Sequence, residues 1–324
     1  MHTKRLGRTR LEITRIGFGA WAVGGGEYAF GWGSQEDRES LAAIERAVAE
    51  GVNWIDTAPA YGLGRSEEVV GRALKQIGPA RRPYVFTKCS LVWDEKTRQI
   101  SHSLEPASIR AEAEASLRRL GVDAIDLYQI HWPGPWGQAP ANIEEAWQTL
   151  ADLQREGKVR HLGVSNFGVA ELKRIQAIAP IGSLQPPYSL LRRRIEAEVL
   201  PFCQANDIGV IVYSPMQAGL LTGKMTRERL ASLPPDDWRK QSREFVEPSL
   251  TPNLEFVEVL RGVAARLGRT PGELAVAWTL RHPAVTGAIV GFRRPQQVAE
   301  IVGAADLQLT QMDVAEIEAS IPAA

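Results

Sequence analysis

Short apolar runs rich in Val, Ile and aromatic residues alternate along this chain with longer stretches whose apolar positions recur every three or four residues. The first long stretch, 35–50, is apolar at 41, 44 and 48, as one buried helix face requires, and Gly51 after it suits a left-handed C-terminal cap. A strand follows at 52–56, and the unit then recurs. Helix 65–77 precedes strand 84–88, helix 105–120 with Gly121 precedes strand 125–130, and helix 142–156 ends at Gly157 before strand 159–164. Helix 168–178 leads to strand 183–186 and helix 196–206 to strand 208–213. After a long loop, helices at 253–267 and 271–282 precede a last strand at 286–290, and helices at 295–303 and 310–320 complete the chain. Upstream, residues 3–14 read as a hairpin turning at LGRT, followed by a strand at 16–20.

Eight buried strands separated by crossover helices require a parallel sheet, which can close on itself without an exposed edge. The rival is an open doubly wound sheet, which should carry a G-x-G-x-x-G turn after its first strand. Neither Gly17, Gly19 and Ala22 nor Gly24, Gly26 and Ala29 completes that motif. The expected architecture is therefore an α/β fold, a (β/α)8 TIM barrel with an N-terminal hairpin and two extra helices, spanning residues 1–324 as one domain.

Composition narrows the function classes. The 38 basic and 38 acidic residues balance, which argues against a nucleic-acid-binding surface. Cys89 and Cys203 lie far apart among apolar neighbours and read as reduced core thiols of a cytoplasmic protein. The basic N-terminal segment lacks the apolar core of a signal peptide, and no later stretch is long enough to span a membrane. The five histidines, at 2, 102, 131, 161 and 282, show no metal-ligand spacing with carboxylates, so no metal is expected.

In a parallel barrel the strand C-termini share one face and build the site there. Asp56 ends the second strand, Tyr61 follows in its loop, Lys88 ends the third strand and His131 follows the fourth. Each has an ordinary structural explanation by itself: a capping Asp, a loop-packing Tyr, a Lys reaching water. On neighbouring strands the four compose an acid relay. An ammonium at Lys88 would favour the phenolate of Tyr61 and lower its pKa from near 10, Asp56 would pair with and orient Lys88, and His131 would hydrogen-bond a substrate carbonyl beside Tyr61.

These residues lie in motifs that resemble the aldo-keto reductase family from about residue 5 to 320. GVNWIDTAPAYGLGRSEEVVGRAL (51–74) is similar to that family's signature, and TK (87–88) and IHWP (130–133) to its next two blocks. The resemblance implies NADPH-dependent reduction of aldehydes or ketones to alcohols, with Tyr61 as general acid, Lys88 and Asp56 tuning it, and His131 orienting a small-molecule carbonyl substrate. On the coenzyme side it implies Ser165, Asn166 and Gln185 holding the nicotinamide amide, and Tyr213 stacking on its ring. The loop of Ser214, Gly219, Leu220 and Lys224 would pass over the pyrophosphate. A turn at Gly291, with Arg293 and Arg294 before Pro295 at a helix N-terminus, suits the 2′-phosphate of NADPH. Gln297 and Glu300 match adenine-side positions; Ile301 stands where the family usually has Asn, which implies one adenine hydrogen bond fewer.

Aromatic residues crowd the loops on the same face. Trp21 and Trp132 match positions that line the family's substrate cavity; Tyr28, Phe30 and Trp32 lie in a glycine-rich loop, and Trp93 and Trp136 in the next two. Such a cavity favours aryl or alkyl carbonyls, with aldoses open as a second class. Two functions compete: a carbonyl reductase, possible in both directions, and an NADPH-binding redox-sensing or regulatory subunit with slow turnover.

Overall fold

The computed structural model describes residues 1–322 except 27, 29, 136, 137, 139–141, 235 and 236. The apolar runs form eight parallel strands: β1 (Ile16–Gly19), β2 (Trp54–Asp56), β3 (Tyr84–Cys89), β4 (Ile125–Ile130), β5 (Val159–Ser165), β6 (Ser183–Gln185), β7 (Gly209–Val212) and β8 (Val285–Gly291). Each pairs with its neighbour in sequence, and β8 pairs with β1 to close the barrel. Helices α1 (Asp37–Ala49), α2 (Arg65–Ile77), α3 (Pro106–Leu120), α4 (Ile143–Arg155), α5 (Val169–Gln176) and α6 (Val199–Ala205) are the crossovers between successive strands from β1 to β7. A short α7 (Arg227–Ala231), then α8 (Leu250–Arg266) and α9 (Pro271–Leu280) lie between β7 and β8, and α10 (Pro295–Ile301) and α11 (Gln311–Ala319) follow. Among the described residues no helix is long and apolar enough to cross a membrane.

Strand side chains alternate between the helix layer and the barrel interior. Trp54, Phe86, Leu127, Ile211 and Ile289 point inward, and Leu6, Leu11 and Ile13 of the N-terminal hairpin pack beneath them. The Trp54 ring sets the shape of this layer: a Cβ at Gly17 would sit 2.2 Å from it, and one at Gly287 3.0 Å. The interior is thus a packed plug, and the site has to form above it.

The expected elements recur with trimmed ends, and two differences have physical reasons. The segment after β3 folds into a small hairpin, Leu91–Trp93 with Ile100–His102, around a charged turn that reads as loop in the sequence. The helix expected from 253 begins at Leu250, because Pro252 falls in the first turn, where its missing N–H has no intrahelical partner to lose. Cys89 and Cys203 are buried and free.

Candidate active site

The alternation that builds the plug also builds the site. Two residues beyond Trp54 stands Asp56, two beyond Phe86 stands Lys88, and two beyond Leu127 stands Gln129, with His131 two residues further, just past the end of β4. A polar layer therefore lies directly above the apolar one. Lys88 Nζ donates to Asp56 Oδ1 at 2.6 Å and to the Thr57 carbonyl at 2.8 Å, and lies 3.4 Å from the Tyr61 hydroxyl. Asp56 Oδ2 accepts from Gln185 Nε2 at 2.7 Å and from Gln129 Nε2 at 3.4 Å. The Tyr61 and His131 rings meet edge to face, with centroids 5.8 Å apart.

Local sequence fixes where the phenol stands. Gly62 and Gly64 have φ of +67° and +97°, which only glycine adopts without strain, and they turn the chain after Tyr61 into α2. Gly24 of the β1 loop sits so close that its Cβ would lie 2.6 Å from the Tyr61 carbonyl carbon.

Burial governs the charges. It holds the Tyr61 phenol well above its ordinary pKa, with the Asp56 charge adding to the effect. It pulls Lys88 down against the opposing pull of Asp56 and Glu67, and holds His131 well below its ordinary value with help from Lys88. The expectation of a lowered Tyr61 pKa is thus not met: Lys88 donates to Asp56 and Thr57 and, at 3.4 Å, to Tyr61, but desolvation dominates and holds the phenol above its ordinary value. Tyr61 stays protonated and His131 neutral at pH 7.

On the opposite wall, Ser165 Oγ donates to the Gln185 carbonyl at 2.8 Å. Asn166, at φ +63°, donates to the His131 carbonyl and to Ser165 Oγ, both at 3.0 Å, and accepts from the Tyr213 hydroxyl at 2.8 Å. Ser214 also has positive φ, and Gly219, at φ +90°, has open space around it. Leu220 turns its side chain away, into a cluster with Met225 and Phe245. Lys224 is ion-paired with Glu300. Ile301 packs toward Gly272 at the start of α9, where a Cβ would lie 2.8 Å from its Cδ1.

At the β8 turn, Arg293 and Gln297 line the cavity and already have partners within the chain. Arg293 donates to Gln35 Oε1 at 2.7 Å and to the carbonyls of Trp32 and Ser34 at 3.0 and 2.5 Å, so its guanidinium fastens the β1 loop. Gln297 Oε1 accepts from the backbone N–H groups of Arg293 and Arg294, at 2.7 and 3.1 Å, capping α10. Arg294 is exposed beside that helix start. Gly291 lines the cavity where β8 ends.

A cavity of about 820 Å³ runs from Tyr61 and His131 past Ser165, Asn166 and Tyr213 to Gly272 and Arg294's neighbours Arg293 and Gln297. That volume lies within the range of cofactor sites. The hydrogen-bonded side chains of Ser165, Asn166 and Tyr213 and the open backbone at Gly219 fit a nicotinamide dinucleotide. Trp21, Tyr28, Phe30, Trp32 and Trp132 line its mouth. Trp93 does not: it stands on the small hairpin with the Arg119 guanidinium 5.9 Å from its ring centroid. Trp136 lies outside the described residues.

Sequence reasoning missed Gln129 and Trp238. Strand alternation carries a signal for Gln129, two positions before His131. Trp238, in the long loop after β7, stacks on Trp21 at 5.8 Å and meets Trp32 edge on at 5.5 Å, while Arg239 lies over the Trp32 ring at 4.8 Å. No local pattern announces that contact.

Comparison with known proteins agrees with the geometry. The chain is 40% identical over 299 residues to the aldo-keto reductase YhdN of Bacillus subtilis, covering 91% of this chain and 87% of that one. It is 37% identical over 318 residues to a protein of Escherichia coli named NADH-specific methylglyoxal reductase, covering 95% and 94%. Among solved structures, a glycerol dehydrogenase of Gluconobacter oxydans superposes with a TM-score of 0.88 at 36% identity, covering 98% of this chain and 94% of that one. The family model described as the aldo/keto reductase family matches residues 15–322, and the chain belongs to that family of nicotinamide-dependent oxidoreductases.

Proposed function

We propose that this protein reduces small aldehydes or ketones to alcohols, with Tyr61 as the proton donor. The observation that carries this reading is the Tyr61 phenol 3.4 Å from the buried Lys88 ammonium and in ring contact with the His131 imidazole, lining a dinucleotide-sized cavity. The bound coenzyme supplies the hydride. Tyr61 and His131 hold the carbonyl oxygen, and the Tyr61 O–H passes its proton there as negative charge develops. Lys88 stabilises the phenolate left behind, and its own position is held by Asp56 and Thr57.

Ser165, Asn166, Gln185 and Tyr213 are the residues proposed to present the nicotinamide. Asn166 and Tyr213 are already bonded to one another and so form a rigid wall. NADPH is the proposed coenzyme, with recognition of the 2′-phosphate falling to Arg294, since Arg293 is engaged elsewhere. The preference over NADH is then modest, which accords with a relative named for NADH specificity. The relatives named for methylglyoxal and glycerol point to short substrates carrying more than one oxygen.

The alternative, a regulatory coenzyme-binding subunit, makes no use of an intact donor set. A multi-turnover assay with nitrobenzaldehyde, short aldehydes and short ketones, followed by nicotinamide absorbance, separates the two. Sustained consumption of coenzyme is expected; a single turnover with tight coenzyme retention would favour the regulatory reading.

A further inference from the structure

The cavity mouth holds a polar group that the proposed chemistry does not use. Tyr28, in the β1 loop, lines the same cavity as Tyr61 and His131, and its hydroxyl is buried with no hydrogen-bond partner among the described residues. The Trp21 indole N–H and the Gly62 backbone N–H lie near it without forming a hydrogen bond to it, the indole N–H being donated to the Phe30 carbonyl at 3.1 Å. Buried hydroxyls are ordinarily paired, because leaving one unpaired forfeits its hydration without return. A hydroxyl left so at the edge of a ligand cavity is satisfied when the ligand arrives.

Its placement relative to Tyr61 is rigidly set. The β1 loop backbone at Gly24 packs on the Tyr61–Gly62 turn so tightly that a Cβ on Gly62 would lie 2.2 Å from the Gly24 carbonyl oxygen. Within the loop, Trp32 N donates to the Gly25 carbonyl at 3.1 Å and Gly31 N to the Tyr28 carbonyl at 3.0 Å. Arg293 anchors the far end through the carbonyls of Trp32 and Ser34. Tyr28 is near enough to Tyr61 for a charge on one phenol to be felt by the other, and burial keeps the Tyr28 phenol protonated. Trp21, Trp32, Leu91 and Trp132 of the same cavity lining offer mostly ring and alkyl surface, the Trp32 indole N–H being a second buried polar group without a partner among the described residues.

We propose that Tyr28 is a specificity-determining residue: its hydroxyl binds a second oxygen, borne on the carbon next to the reacting carbonyl, and so selects α-hydroxy and α-oxo carbonyl compounds over plain alkyl ones. This rests on the reductase reading above and names its substrate class. No covalent step involves Tyr28, which only holds the substrate while Tyr61 transfers the proton.

The test compares wild type with Tyr28→Phe on glycolaldehyde and propanal, two aldehydes of equal heavy-atom count that differ in the second oxygen. The wild type should prefer glycolaldehyde. In the variant, kcat/KM on glycolaldehyde should fall about tenfold, the scale of one hydrogen bond, while propanal changes less than twofold. Equal losses on both aldehydes, or an unchanged preference, would overturn the assignment. Binding is read separately on the coenzyme-loaded chain, through quenching of the Trp21, Trp32 and Trp238 fluorescence by ethylene glycol and by 1-propanol. Selective weakening of ethylene glycol in Tyr28→Phe supports the proposal even if neither aldehyde is turned over, an outcome that would count against the reductase reading instead.

Discussion

Gln185 donates from Nε2 to Asp56 Oδ2 at 2.7 Å, across the barrel from the strand that carries the carboxylate. The bond ties the proposed nicotinamide wall to the pair that positions Tyr61, because Asp56 uses its other oxygen for Lys88. Replacing Gln185 with Leu leaves Oδ2 with only the long bond from Gln129. The expected cost is about 1.5–3 kcal/mol in urea unfolding, the range for a buried hydrogen bond to a charged group, with weaker coenzyme binding alongside. A variant as stable as wild type would show that the bond contributes nothing to holding the pair.

The barrel plug gives a sharper packing test. Gly17→Ala places a methyl group 2.2 Å from the Trp54 ring, and neither strand backbone can give way without disturbing the closed sheet. A loss of about 3 kcal/mol is expected, at the upper end for overpacked cores. In a Trp54→Leu background the same change should cost under about 1 kcal/mol, since the clash is gone. Equal costs in both backgrounds, by denaturant titration, would rule out the ring as the cause.

Much of this was legible from the chain itself. Buried parallel strands are continuous apolar runs, so their number and order could be read, and with them the convergence of Asp56, Tyr61, Lys88 and His131. What the sequence hides is desolvation: the Tyr61 phenol is pushed up because it sits half-buried among packed neighbours, which no adjacent residue in sequence announces. It also hides direction. Arg293 stands where a phosphate-binding cation is expected, yet its guanidinium turns to Gln35 and the β1 loop. Trp238 escaped because its partners, Trp21 and Trp32, lie some two hundred positions away in sequence and meet it only through loop packing.

Glu112 sets a pH dependence. Its carboxyl accepts from Ser90 N at 3.0 Å and from Ser108 Oγ at 3.2 Å, and burial raises its pKa to about 8. The folded chain therefore binds a proton that the unfolded chain releases near pH 4.5. This contribution to stability is full below that value, declines as pH rises, and is lost above about 8. Glu112→Gln should flatten that decline, so urea midpoints of variant and wild type, compared at mildly acidic and mildly alkaline pH, should diverge as pH rises. Parallel curves would refute the assignment.

Coenzyme choice separates the two arginines of the β8 turn. Arg294→Ala should reduce kcat/KM with NADPH severalfold and leave NADH nearly unchanged, the outcome expected of an exposed cation whose proposed partner is the 2′-phosphate alone. Arg293→Ala should weaken both coenzymes and the substrate alike, because it releases the β1 loop. The reverse outcome would return phosphate recognition to Arg293.

The most direct measurement is on Tyr61→Phe, which removes one oxygen from the site and leaves the ring against His131 and Trp21. Turnover should fall by several orders of magnitude while the dissociation constant for NADPH, measured by fluorescence titration, stays within about twofold of wild type. A variant that keeps most of its carbonyl reduction would contradict the assignment of the proton donor.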